Sequence, residues 1–210
     1  MNGVLEQRRL GVVILAAGAS SRMGQPKLLL SWGGTSMLDH LLARWRALEP
    51  QQIAVVVAAG ENPVTGELDR LNFSTANRIV NPNPERGMFS SIQCAARWNG
   101  WRSGPTHWAI VLGDQPLVRV ETLRTVLDFA AAHPEKICQP SRNGRGRHPV
   151  LLPATAFRAL ADTPAATLKQ FLSASTHSVA LCDFDDPGLD LDIDRPEDYE
   201  RAVGLAAEKT

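Results

Sequence analysis

"GVVILAAGASSRMGQPKLLL" (11–30) joins an unbroken apolar run to a loop with two glycines, two serines, an arginine and a lysine, then returns to leucines. An apolar run of this length without alternation is the pattern of a parallel strand covered on both faces. The loop behind it has the composition of an anion cradle. Gly18 and Gly24 permit backbone conformations that turn N–H groups inward, and Ser20 and Ser21 add hydroxyls. Arg22 can take two phosphate oxygens at once, and Lys27 is a point charge. The plainer alternative is a Gly/Ser loop with two solvated basic residues.

Three better-known motifs do not fit. A Walker A loop needs G-x-x-x-x-G-K-[ST], whereas Lys27 stands three residues past Gly24 and behind Pro26. A dinucleotide fingerprint needs a middle glycine that "GASSRMG" lacks. In "GASSR", Arg22 stands where a nucleophile elbow ends in glycine. The two arginines and small residues of "RRLGVVILAAGAS" (8–20) also imitate a signal peptide, but the small residues run on into the cationic loop, so a buried first strand is expected.

Outward from this stretch, strand and helix patterns alternate. Apolar runs at 53–59, 78–81 and 107–114 read as strands. Residues 36–48, 63–71, 88–98 and 119–132 carry helical spacing. From Ile137 the pattern loosens into "KICQP", "HPVLL", helices near 154–161 and 165–174, the strand "SVALCD" and a last helix from "RPEDY". Such alternation predicts one α/β domain with a mostly parallel sheet between two helical layers. Ligands of such sheets bind outside the carboxyl ends of the strands, where the cradle, "ENP" and "GDQP" should converge.

The 210 residues fit one domain, with no linker or internal repeat. Lys+Arg and Asp+Glu are equal at 22 each, which argues against a general nucleic-acid binder. No stretch approaches the roughly 20 apolar residues of a membrane span. The scattered Cys94, Cys138 and Cys182 form neither a disulfide framework nor a zinc motif, and a reducing cytoplasm is expected. The five tryptophans are scattered, and most are expected to serve packing rather than base stacking.

Acids complete the chemistry. Asp114 ends a buried run at the ligand side, placed either to hold a divalent cation or to cap the turn before Pro116. In "LDLDID" (189–194), alternation puts Asp190, Asp192 and Asp194 on one face of a strand, a costly arrangement without a cation. Asp194 is expected to cap the helix that starts near Pro196. An EF-hand frame over 183–194 fails, with Pro187 at its fifth position. "RNGRGRHP" (142–149) is either a solvated basic loop or an anion-capturing one. Gly87, Ser90 and Ser91 are placed either to cap a helix or to meet an anion at its start.

"LAAGASSRMGQPKLLL" resembles the signature of nucleotidyltransferases related to molybdenum-cofactor guanylyl- and cytidylyltransferases, the MobA-like NTP transferases. "ERGMFSSI" (85–92), "LGDQP" (112–116), "GRGRHPVLL" (144–152) and "DIDRPEDY" (192–199) resemble that family's later motifs in the same order, nearly spanning the chain. The resemblance implies a three-layer Rossmann-like, GT-A-like fold, with a nucleotide-binding half at about 11–116 and an acceptor half at about 117–210. It implies Mg²⁺-dependent transfer of CMP from CTP to the terminal phosphate of molybdopterin-type molybdenum cofactor, releasing pyrophosphate. Lys27, Arg22 and Asp114 are then catalytic. Leu15, Ala16, Ala17, Gly18, Ser20, Ser21, Arg22, Gly24, Lys27 and Gly113 bind the nucleotide. Gly87, Ser90, Ser91, Arg147 and His148 face the acceptor, and Asp114 and Asp192 hold the metal, with Asp190 as substitute. "LAAG" points to the cytidylyl branch, since the Ala17 methyl crowds a purine more than a pyrimidine. The rival expectations are a GTP-using enzyme, a sugar- or alditol-phosphate nucleotidyltransferase, and a non-catalytic cofactor carrier serving a molybdoenzyme client.

Overall fold

Successive residues of the first strand, β1 (Leu10–Leu15), point to opposite faces, and both faces are covered. In the computed structural model, which describes residues 9–207, Val12 and Ile14 pack into one apolar cluster and Val13 into another. All three are fully buried, so neither face tolerates a polar residue.

Two short strands follow, β2 (Ser31–Trp32) and β3 (Thr35–Ser36), an antiparallel hairpin turned by Gly33 and Gly34 at positive φ. The other strands are β4 (Gln52–Ala58), β5 (Arg78–Asn81), β6 (His107–Leu112), β7 (Ile137–Arg142), β8 (Arg145–Gly146), β9 (Val150–Pro153) and β10 (Val179–Asp183). The main sheet runs β10-β7-β9-β6-β1-β4-β5, with β8 paired to β7. β1 is parallel to both β4 and β6, β5 is parallel to β4, and β10 to β7. β9, the "HPVLL" run, is inserted antiparallel between β6 and β7.

Seven helices are described: α1 (Met37–Arg46), α2 (Pro63–Arg70), α3 (Met88–Arg97), α4 (Val120–Ala132), α5 (Ala154–Ala159), α6 (Leu168–Ala174) and α7 (Pro196–Ala207). Leu38, Leu42, Leu68 and Val126 bring α1, α2 and α4 onto one face of the sheet. Ile92, Phe157 and Phe171 bring α3, α5 and α6 onto the other. Side-chain caps start α1 and α2: Ser36 Oγ accepts from Asp39 N at 3.1 Å, and Asn62 Oδ1 from Thr65 N at 3.0 Å. The tryptophans pack as expected. Trp45 is core, and Trp108 stacks on Phe157 with centroids 4.7 Å apart.

A third cluster brings the end of the chain back to its beginning. Leu191 and Ile193, with Ala202 of α7, pack on Met23, Leu30, Trp32 and Met37. This corrects the expected strand over 189–194. Pro187–Asp190 is a 3-10 turn, and the residues after it join no sheet. The period of two nevertheless holds in burial, with Leu189, Leu191 and Ile193 inside. Apolar packing, not a sheet ladder, runs along this strap. The Ile193 N–H donates to the carbonyl of Asp114 at 3.0 Å, tying the strap to the turn after β6.

The acids of the failed EF-hand frame have structural partners. Asp186, 1% exposed, accepts from Arg119 N at 2.9 Å, Thr122 Oγ1 at 2.7 Å and Gly188 N at 3.0 Å. It fastens the start of α4 to the strap. Asp186→Ala strands these donors and should lower stability by about 2–4 kcal/mol. A urea midpoint shifted at constant slope would register this loss, and an unchanged midpoint would refute it.

Candidate active site

The loops at the carboxyl ends of β1, β5 and β6 enclose a cavity of about 320 Å³. Its walls include Leu15, Ala16, Ala17, Gly18, Ser20 and Lys27 from the first loop, and Gly113 and Asp114 from the third. Gly87, Met88 and Ser91, at the start of α3, line the same cavity, so two residues expected on the acceptor side lie beside the nucleotide loop.

The cradle is closed by its own side chains. Ser20 sits at φ +50°, unusual for a residue with a Cβ, and its Oγ accepts from Lys27 N at 3.2 Å. Its hydroxyl therefore braces the loop. Gly24, at φ +72°, needs the freedom of glycine; Gly18 lies outside the left-handed region and opens onto empty space. Gly113 serves packing, because a Cβ there would lie 2.7 Å from Leu28 Cδ2. Ser21, Arg22 and Gly24 are not among the wall residues.

Charge organises the mouth. Lys27 Nζ reaches Asp114 Oδ2 at 2.5 Å and Asp194 Oδ1 at 3.3 Å, and Arg22 NH1 reaches Asp194 Oδ2 at 2.9 Å. Asp194 therefore binds the cations of the nucleotide loop, and the expected helix cap is corrected. The Asp198 carboxylate instead accepts from the N–H groups of Asp194 and Arg195, at 3.3 and 3.0 Å. Asp190 likewise faces cations of its own. Its oxygens take Arg142 NH1 at 2.6 Å and Arg147 Nε at 2.6 Å, and the first of these bonds holds its carboxyl below the usual range. Arg147 thus pairs with Asp190 in this fold.

Asp192 lies between these two clamps. Gln115 Nε2 donates to its Oδ1 at 2.7 Å. Although open to solvent on one side, the carboxyl sits in a crowded recess. Lost hydration pushes it above the usual carboxylate range, and the Asp114 and Asp194 charges add to this against the Gln115 bond. Asp114 Oδ1 is buried without a hydrogen-bond partner. Among the described residues, no three metal-ligating side chains gather into a cage. An orphaned oxygen beside a second carboxylate fits a hard divalent cation that takes its remaining ligands from phosphates and water.

His148 Nδ1 donates to the Ile110 carbonyl at 3.2 Å, which leaves Nε2 as an acceptor. Burial lowers its pKa, while Asp114 and Asp192 pull it upward. Ser90 and Ser91 are both bound by Asn81, whose Nδ2 donates to their Oγ atoms at 2.8 and 2.9 Å. Asn81, Gln115 and the ion-pairing role of Asp194 escaped the sequence reading. Gln115 lay within "LGDQP", but nothing in the sequence singled out Asn81.

The model of the MobA-like NTP transferase domain family matches residues 12–179. Among curated proteins, the bifunctional protein GlmU of Bordetella petrii is 37% identical over 121 residues, 56% of this chain and 26% of that protein. GlmU of Cereibacter sphaeroides is 28% identical over 148 residues, 67% of this chain and 32% of that one. The chain thus spans less than a third of the length of these relatives. Among solved structures, Rv0371c of Mycobacterium tuberculosis H37Rv is 27% identical with a TM-score of 0.73, covering 94% of this chain and 98% of that one. It has also been solved in complex with manganese, at 25% identity, a TM-score of 0.67, and coverage of 93% of this chain and 98% of that one.

Three carboxylates in one recess repel each other. Asp192→Asn should therefore raise the melting temperature in metal-free buffer at pH 7. A raised carboxyl pKa disfavours folding as pH rises above the ordinary value of 3.8, so the gain should shrink as pH falls toward 4. A melting temperature that drops at pH 7 would mean the Gln115 bond outweighs the repulsion.

Proposed function

This chain belongs to the MobA-like NTP transferase domain family, and from that premise we propose that it transfers CMP from CTP to the terminal phosphate of molybdopterin-type molybdenum cofactor, releasing pyrophosphate. The observation that carries the reading is the pairing at Asp114: one oxygen on Lys27 at 2.5 Å, the other buried and unpartnered beside Asp192. Nucleotidyl transfer needs positive charge on the transferred phosphate and a divalent cation across the phosphates, and both fit here.

Asp114 and Asp192 would hold Mg²⁺, which when bound neutralises charge on the α-phosphate and departing pyrophosphate. The manganese complex of Rv0371c supports a divalent cation in this fold. Lys27 draws the α-phosphate toward the cavity wall and stabilises charge gathering there. Arg22 meets the outer phosphates in place of Asp194. The acceptor phosphate forms its bond to the α-phosphorus as the bond to pyrophosphate breaks, and an ionised phosphate needs no base to activate it. Residues of about 11–116 supply the nucleotide side, with Ala16, Ala17 and Gly18 as its floor. The half from about 117 onward supplies His148 and the strap. The Ala17 methyl favours the smaller cytosine.

The direct test is pyrophosphate release with Mg²⁺ and molybdenum cofactor, CTP compared with GTP. Release with CTP that Asp114→Ala abolishes is the expected result. Release only with a sugar or alditol phosphate as acceptor would reassign the substrate, and cofactor binding without release would indicate a carrier. Lys27→Ala should lower turnover about 10²–10³-fold; a change under threefold would remove its role. Ala17→Gly should narrow the CTP/GTP preference by about 1–3 kcal/mol at most, and an unmoved ratio would show that Ala17 does not set the base.

A further inference from the structure

Gln115 is 8% exposed, although it follows Asp114 directly at the mouth of a charged cleft. Burying an amide is costly unless its polar atoms are engaged, and this one is engaged on a carboxylate: Nε2 donates to Asp192 Oδ1 at 2.7 Å. The turn carrying it is fastened on both sides. The Asp114 carbonyl receives the strap through Ile193 N at 3.0 Å. The Pro116 carbonyl receives Arg44 NH1 of α1 and lies 3.3 Å from His40 Nε2. The Ile193–Asp114 backbone bond sets the spacing of turn and strap, and the Gln115 amide converts that spacing into an orientation. It occupies one oxygen of Asp192 and leaves the other for a ligand.

We propose that Gln115 is a positioning residue, which holds Asp192 by one oxygen so that the second faces the same cation as the unpartnered Oδ1 of Asp114. This rests on the reading that Asp114 and Asp192 hold a divalent cation. Groups that orient a metal ligand through a hydrogen bond commonly govern affinity by 10–100-fold, roughly speaking. An amide that only filled space would affect stability and leave metal affinity alone.

Mn²⁺ titrated against the full chain without nucleotide, with bound metal read from loss of the free-ion electron paramagnetic resonance signal, separates these roles. Gln115→Met keeps the side-chain length and removes the donor, and should weaken Mn²⁺ binding about tenfold. Asp192→Asn should weaken it at least as much, and the double variant no more than Asp192→Asn alone. If Gln115→Met stays within twofold of the parent while Asp192→Asn is weakened, the role of Gln115 is overturned and the metal reading stands. If Asp192→Asn also binds as the parent does, the metal reading falls and the role of Gln115 with it. Should Gln115→Met not fold, Gln115→Asn carries the same expectation, because its shorter amide does not reach Asp192.

Discussion

A single ammonium group joins the separate parts of this site. Lys27 leaves the loop after β1, Asp114 follows β6, and Asp194 lies in the strap near the end of the chain, yet Nζ of Lys27 meets both carboxylates. The lysine and Asp114 are partly withdrawn from water, with side chains 18% and 16% exposed, so neither charge is comfortable without the other. The bond fixes the distance between the nucleotide loop and the turn carrying Asp114. The cavity exists because those two loops stand apart at that distance, with the start of α3 closing the third side.

The strap supplies the rest by distributing its acids. Leu191 and Ile193 alternate inward against β2, the start of α1 and α7, which sends Asp190, Asp192 and Asp194 outward at regular intervals. Each meets a different partner: Asp190 the guanidiniums of Arg142 and Arg147, Asp192 the amide of Gln115, Asp194 the cations Arg22 and Lys27. One extended segment thereby touches the nucleotide loop, the turn after β6 and the basic loop after β7. A shift of one residue in its register would turn Leu191 and Ile193 to solvent and bury the acids, so packing sets the electrostatics.

Much of this was legible in the residues because two-sided burial leaves an unmistakable trace. The apolar runs of β1, β4 and β6 and the helical spacing of α1, α3 and α4 declared their types, and the three-layer arrangement followed. The direction of β9 did not declare itself, since "HPVLL" reads alike in either direction. The strap misled for a related reason. Alternation reports which side chains are buried, and a segment buried against a hairpin and a helix alternates just as a strand does. Within the site, composition singled out Gly18, Ser20 and Lys27 among the wall residues of the first loop, and the family resemblance added Leu15, Ala16 and Ala17. Which partner each charge takes was not: Arg147 and Asp190, or Arg22 and Asp194, are neighbours only in three dimensions.

The internal ion pairs bear on how a nucleotide enters. Arg22 and Lys27 both spend charge on Asp194, so a triphosphate has to replace a carboxylate that is already in contact. The replacement is favourable in charge, because a triphosphate with a divalent cation offers more oxygens and more negative charge to the two cations than one carboxylate does. Asp194, 36% exposed, can turn to water more cheaply than the partly buried Asp114 can. The same exchange leaves Asp114 and Lys27 in place, so the pair that defines the cavity need not break for it to fill. A divalent cation held between Asp114 and Asp192, as proposed, would offset the repulsion that Asp114 and Asp194 exert on Asp192.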